Sequence, residues 1–290
     1  MSDGQAEPQI QQGQQAQRAN IKINKFSAFT AIQSGTNRQL KMTIQYEGNI
    51  ELIPWDHMSQ EHVKRMYEQR VACGWRADEI ESWVEFAKRG GRIFYWAILA
   101  DAVPEREKLL SRHTEAYPKE ITTLRDTASE IRLVPRQPSG MEFIPIGHVA
   151  LDIHSAVEDA ELGLPSPGTV WVHQLYISYV LQRGGFGTAT MAKVEELATE
   201  EPMNATTMAL DTMSSDMNAE DVNILKRDFG IPDSPEGWYA RQGYETYKTA
   251  PGYEFQRQGG KTVQVKVAYM KKTISSTDGT TMAHLNSERE

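Results

Sequence analysis

Gln182, Gly185 and Gly187 stand at the spacing [QR]-x-x-G-x-[GA], within the run Gln182-Arg183-Gly184-Gly185-Phe186-Gly187. Ahead of this run, Thr169, Val170, Trp171, Val172, Leu175, Tyr176, Ile177 and Val180 are β-branched, aromatic or aliphatic and predict a strand. Behind it, Ala189, Ala192, Val194, Leu197 and Ala198 recur at helical spacing. A strand, a glycine turn and a helix in this order make an anion site. Glycine lets backbone N–H groups come close to a ligand, and the helix start adds unpaired donors at the positive end of its dipole. A diphosphate is the natural guest; an ordinary strand-to-helix turn is the alternative. The dinucleotide fingerprint G-x-G-x-x-G does not fall on Gly184, Gly185 and Gly187. The mononucleotide pattern fails too: Gly260-Lys261-Thr262 has Phe255 where the first glycine belongs, and it reads as a hairpin turn.

A second motif, Trp238-Tyr239-Ala240-Arg241-Gln242-Gly243-Tyr244, follows beyond a predicted strand over 206–211. The two motifs in this order, with a strand between them, resemble the GNAT superfamily of N-acetyltransferases. The resemblance implies an α/β fold with a mixed, largely antiparallel sheet and helices on both faces. It implies acetyl-CoA as co-substrate and no metal. The coenzyme diphosphate would take amides from Gln182, Arg183, Gly184, Gly185, Phe186, Gly187 and Thr188, and the Arg183 side chain either adds a charge-assisted contact or points to solvent. Position 183 is commonly glycine in the family, so Arg183 is a departure. Backbone groups near Leu175 and Ile177 would pair with the pantetheine arm, and central-strand amides would meet the oxyanion.

The chemistry implied is attack of a neutral amine on a thioester carbonyl, although amines near neutral pH are mostly protonated. With both substrates bound at once no acyl-enzyme is needed, since positioning alone supplies ~7–11 kcal/mol in favourable intramolecular models. Tyr239 falls on the family's general-acid position and would donate to the departing sulfur; a phenol of reference pKa ~10 is protonated at pH 7. The alternative is a Tyr that packs its helix onto the sheet. His173 occupies a position from which some members deprotonate the amine directly or through water. A structural His is the alternative there, and Asp211, Asp152 and His154 are the other base candidates. By period-two alternation His173, Leu175 and Ile177 should face one side of the sheet.

The elements that must position these groups can be read around them. Residues 40–46 alternate as a strand and pair through Gly48-Asn49 with 50–53, while 21–29 is helix or strand. Residues 59–73 predict a helix with Ser59 as N-cap and Val63, Met66, Tyr67 and Val71 inward. A second helix over 77–88 turns Ile80, Trp83, Val84 and Ala87 inward. In the family this helix pair covers the acceptor site, so Trp75, Trp83, Met66 and Tyr67 are candidate pocket walls, with core packing the alternative. Cys73 reads as a small packed residue. Residues 92–99 and 144–153 are paired strands separated by a charged, proline-punctuated insertion over 102–143, helical around 104–113. Residues 213–237 carry Asp216, Glu220, Asp221, Asp228, Asp233 and Glu236, a solvated surface unless it edges the acceptor cleft. Residues 246–253 and 263–270 predict two closing strands.

Composition bounds the rest. A chain of 290 residues with 39% hydrophobic residues supplies a real core, and a net charge of -8 argues against a nucleic-acid surface and favours cationic ligands. One cysteine excludes an internal disulfide framework, and no apolar run approaches the ~20 residues that span a bilayer. The expectation is a cytoplasmic or nuclear monomer or homodimer with no membrane partner. Its domain covers 38–274, flanked by polar tails over 1–20 and 275–290. The expected activity is acetyl transfer from acetyl-CoA to a primary amine of a small molecule. A protein lysine or N-terminal acetyltransferase and a non-catalytic acyl-CoA-binding module are the alternatives.

Overall fold

Alternate residues of the strand Arg92–Leu99 meet two different cores, which is why it reads as one unbroken apolar run. Ile93 and Tyr95 join one cluster with Val149, Leu151, Met191 and Val194, whereas Phe94, Trp96 and Ile98 join another with Met66, Ile80, Trp83 and Ala87. The strand therefore has helices above and below it. The computed structural model describes residues 49–229, 234–256 and 262–275, the side chains of 228, 229 and 256 excepted. The expected tail over 1–20, the segments 21–29 and 40–46, the turn at 260–261 and the tail beyond Ser275 lie outside the described residues.

Seven strands form the main sheet: β1 (Ile50–Pro54), β2 (Arg92–Leu99), β3 (Gly147–Asp152), β4 (Thr169–Ile177), β5 (Thr207–Met213), β6 (Glu245–Gln256) and β7 (Thr262–Thr273). Their order is β1-β2-β3-β4-β5-β7-β6. Only β4 and β5 run parallel; the other neighbours are antiparallel. The helices are α1 (Gln60–Cys73), α2 (Ile80–Lys88), α3 (Arg106–Ala116), α4 (Ala156–Glu161), α5 (Phe186–Thr199), α6 (Ala219–Phe229) and α7 (Glu236–Ala240). The mixed, largely antiparallel sheet with helices on both faces is thus the expected architecture. No helix among the described residues is long and apolar enough to cross a membrane.

Helix α1 starts where expected, with the Ser59 hydroxyl accepting from the His62 amide and Gly74 at φ 84° closing it. Its buried face is not the expected one. Met66 is buried, but Tyr67 and Val71 are exposed, and the inward stripe is His62, Arg65, Gln69 and Arg70. The helical period is present, carried by polar side chains, because this face meets polar groups of the insertion. Arg65 Nη2 donates to the Thr122 carbonyl at 2.6 Å, His62 Nε2 lies 2.9 Å from the Arg125 carbonyl, and Gln69 Nε2 donates to Glu120 at 2.7 Å. Helix α2 follows its apolar pattern, burying Ile80, Trp83 and Ala87.

The insertion is a built part of the molecule. Its helix α3 contributes Leu110, its short ribbon of Leu124–Arg125 with Glu142–Phe143 contributes Leu124 and Phe143, and all three are buried. Buried Asp126 accepts from Arg136 at 2.7 and 2.9 Å and from Ser139 at 2.7 and 2.9 Å. Burial alone raises a carboxyl pKa; here the Arg136 and Ser139 bonds outweigh it and hold Asp126 well below the usual range.

Candidate active site

The cleft begins where β4 and β5 stop pairing. Their parallel register runs from Thr169 with Thr207 to Val172 with Leu210, and no rung follows. Strand β4 continues against β3 alone, while β5 continues against β7 to Met213. A wedge thus opens in the middle of the sheet, where one side of β4 has no strand partner among the described residues. It belongs to a cavity of about 500 Å³ walled by His173, Gln174, Leu175, Asp211 and Tyr239, with Arg70, Cys73, Trp75, Arg76 and Tyr253 around them.

A bulge decides which side chains enter. Four residues of β4, His173 to Tyr176, oppose three of β3, Ala150 to His148, and Gln174 sits at φ 53°. The expected common face of His173, Leu175 and Ile177 is therefore wrong. Leu175 and Ile177 pack with the core beneath α5, whereas His173 pairs in register with Ala150, which belongs to the core beneath α1 and α2. Strict alternation fails because the extra residue at Gln174 flips every later side chain. Gly147 makes this β3–β4 approach possible: a Cβ there would lie 2.1 Å from the Tyr176 carbonyl oxygen.

His173 lies between two carboxylates. Its Nε2 is 3.8 Å from Asp152 and its Nδ1 is 3.6 Å from Asp211, ion-pair reach but longer than a direct hydrogen bond. Burial lowers its pKa, while Asp152 and Asp211 pull in the opposite direction. Arg92 grips both oxygens of Asp152, with Nε donating to Oδ1 at 2.7 Å. His154 stacks on Trp171 at 4.6 Å and on His173 at 5.7 Å. Ligand-type atoms of Asp152, His154 and His173 lie within 4.8 Å of one another. The Arg92 guanidinium already neutralises that carboxylate and repels a dication, so the trio does not fit a metal.

Tyr239, on α7, packs against the α5-side core and lies edge-on to Trp238 at 4.7 Å and to Tyr244 at 5.9 Å. Burial and the Asp211 charge raise its pKa, keeping the phenol protonated. Cys73 is likewise kept as a thiol by burial.

At the far end of β4 the glycine turn opens α5. Arg183 at φ 67° and Gly185 at φ 83° swing the chain, and Gly185 is an N-cap without a side-chain acceptor. Among the described residues, no backbone or side-chain acceptor takes the amides of Arg183, Gly184, Gly185, Gly187 or Thr188. A Cβ at Gly187 would meet the Trp238 ring at 3.3 Å, so the two sequence motifs touch. Gln182 and the Arg183 side chain are exposed, and Gln182 Nε2 donates to the Ile177 carbonyl at 3.2 Å.

Of the other expected walls, Trp75 lines the cavity, Met66 and Trp83 are core, and Tyr67 faces out. The described residues of the acidic 213–237 stretch do not line the cleft, whose wall carboxylate is Asp211. Within that stretch Glu236 accepts from Ser215 and Thr246, Asp216 pairs with Lys266, and Asp233 lies outside the described residues. Helix α6 there was not expected. Arg70, Arg76 and Tyr253 were missed as walls; the helically spaced polar stripe His62, Arg65, Gln69, Arg70 was the available signal for the first.

No family model and no curated protein matches the chain. Among solved structures it is similar to Arabidopsis thaliana NAA60 in complex with acetyl-CoA, at 11% identity and TM-score 0.43, covering 78% of this chain and 98% of that one. It is also similar to an aminoglycoside 6'-N-acetyltransferase complexed with coenzyme A, at 13% identity and TM-score 0.40, covering 77% and 96%. A third likeness is to the acetyltransferase of the GNAT family from Streptococcus pneumoniae, at 10% identity and TM-score 0.40, covering 78% and 99%. Likenesses at this level carry no argument about activity, which must come from this chain's own residues.

Proposed function

We propose that the chain is an N-acetyltransferase of the GNAT type that moves an acetyl group from acetyl-CoA to a primary amine by direct attack. One observation carries the reading: β4 parts from β5 beside a cleft walled by Tyr239, His173 and Asp211, and the same strand runs on to a glycine turn with open amides, whose Gly187 lies against Trp238, the neighbour of Tyr239. A diphosphate held by amides of the turn directs a pantetheine arm along the unpaired edge of β4, where open backbone groups receive it as a strand would. The thioester then lies between Tyr239 and His173.

His173 with a lowered pKa is a free imidazole at neutral pH and takes a proton from the bound ammonium. The amine nitrogen forms its bond to the thioester carbon, and the carbon–sulfur bond breaks as the tetrahedral intermediate collapses. Tyr239 gives its phenolic proton to the leaving sulfur and is reprotonated from the nitrogen. Asp152 and Asp211 stabilise the imidazolium that forms.

A small acceptor is favoured over a peptide laid through the cleft. Arg76 Nη2 donates to the Tyr253 hydroxyl at 2.6 Å, and Trp75 meets Phe255 edge-on at 6.4 Å, so the loop after α1 and strand β6 are joined across the mouth. Calorimetric titration with CoA, followed by CoA-release assays over panels of amines and peptides, tests the reading. CoA-dependent turnover of small amines is the expected result. Absence of CoA binding would sink it, turnover of peptides alone would shift the acceptor, and CoA binding without any turnover would leave a regulatory module.

A further inference from the structure

We propose that the acceptor of this enzyme carries a carboxylate beside its amine, and that Arg70 is the residue that holds it. The proposal rests on the acetyltransferase reading above and narrows its substrate class.

Arg70 is 3% exposed and lines the cleft. Its Nε donates to the Trp75 carbonyl at 2.8 Å, its Nη1 lies 3.4 Å from His148 Nε2, and its guanidinium carbon lies 5.6 Å from the Trp83 ring centroid. None of these partners is an anion. His148 is fully buried, and burial together with the Arg70 charge keeps its ring neutral. Gln69 fixes the tautomer: its amide nitrogen donates to Glu120 at 2.7 Å and to the Pro145 carbonyl at 3.0 Å, so its oxygen accepts from His148 Nδ1 at 2.7 Å. His148 Nε2 is left as the lone pair facing Arg70. The nearby carboxylates serve other groups. Glu120 meets Gln69 and sits 3.3 Å from His113, and Glu79 pairs with Arg76 at 3.3 Å.

Arg70 is therefore a buried guanidinium with no carboxylate partner among the described residues. Such a charge is costly unless an anion joins it, and its planar fork of donors matches a carboxylate. In a chain of net charge -8, it sits with Arg76 on one wall of a cleft that also holds Asp211 and His173. A molecule with an ammonium and a carboxylate satisfies both kinds of group at once. A coenzyme phosphate has the same chemistry toward a guanidinium, but the glycine turn already offers its own amides for phosphate. Arg70 shares its wall with Trp75 and Tyr253, on the acceptor side of the proposed reaction.

The test compares amines that differ only in carboxylate against primary carboxamide: glycine, β-alanine and 4-aminobutyrate, each beside its amide. Rates are corrected to equal free-amine concentration. For the wild-type chain we expect at least one carboxylate to exceed its amide about tenfold in kcat/KM, mainly through KM. In Arg70→Gln that preference should shrink to within about threefold, and Arg70→Lys should restore part of it. Equal or better use of all three carboxamides by the wild type overturns the proposal, whether or not Arg70→Gln folds. A folded Arg70→Gln that weakens CoA binding but keeps acceptor selectivity also overturns it, assigning the anion to the coenzyme. Calorimetric titration of the carboxylates into the CoA-loaded protein separates this from the activity itself. Carboxylate binding that Arg70→Gln abolishes, with no turnover of any amine, supports the anchor while removing the acetyltransferase reading.

Discussion

At the scale of single residues, the cleft shifts Tyr239 and His173 in opposite directions by the same means. Burial raises the phenol and lowers the imidazole, so at neutral pH one carries a proton to give and the other has room to accept one. Replacing Tyr239 by Phe removes only the hydroxyl. It should lower kcat by roughly 10²–10⁴-fold while CoA affinity by calorimetry stays within a few-fold; unchanged turnover would remove Tyr239 from the mechanism. The His173 shift has a definite sign in a pH profile. Because its pKa is lowered, the rate should be at its plateau at neutral pH and fall only as pH drops below the ordinary imidazole value of ~6.5. His173→Gln should reduce kcat and remove that acidic limb; an identical limb in the variant would transfer the base role to Asp211 or Asp152. Tyr239 was legible as a candidate from the second motif, and His173 from its place on the strand ahead of the first. Their facing was not, because Gln174 adds a residue to the strand at positive φ and no local pattern announces it.

At the scale of elements, the β3–β4 pair sets the cleft's shape. Gly147→Ala would drive a methyl into the Tyr176 carbonyl, which is backbone and has nowhere to go. A loss of about 1–3 kcal/mol in chemical denaturation is expected, together with weakened CoA binding as β4 shifts. The polar stripe of α1 explains why that helix was placed correctly but rotated wrongly. Hydrophobic spacing predicts a buried face only where the opposing surface is apolar, and here it is Glu120, the Thr122 carbonyl and the Arg125 carbonyl. Within the insertion, buried Asp126 pairs with the partly exposed Arg136, and the pH behaviour of the pair follows from the direction of the carboxyl's shift. A carboxyl with a depressed folded pKa contributes stability above its unfolded value of ~3.9, and loses it as pH falls through the folded pKa. Asp126→Asn leaves the partly exposed Arg136 without its carboxylate and should cost about 1–3 kcal/mol near pH 7. The variant should also show a shallower loss of stability below pH 4 than the wild type.

At the scale of the whole molecule, the insertion over 102–143 is a structural layer of the fold. It buries Leu110, Leu124 and Phe143 in two different cores, and losses of about 2–5 kcal/mol for each of the three are together as large as the ~5–15 kcal/mol of a whole domain. Deleting it should therefore yield no soluble folded protein; a monodisperse, CoA-binding deletion variant would show it to be peripheral. What the amino-acid order determined by itself was everything carried by local spacing. The strand Arg92–Leu99, the helix after Ser59, the glycine turn into α5 and the Trp238–Tyr239 motif each announce themselves through neighbours along the chain. What the tertiary structure alone decided was which of these groups share a space: the parting of β4 from β5, the flip at Gln174, and Arg70 lining the cleft without a carboxylate partner among the described residues. The reason is physical. Periodicity records how a segment meets its own backbone, whereas a cleft is made by segments far apart in sequence, whose contacts leave no mark in either one alone.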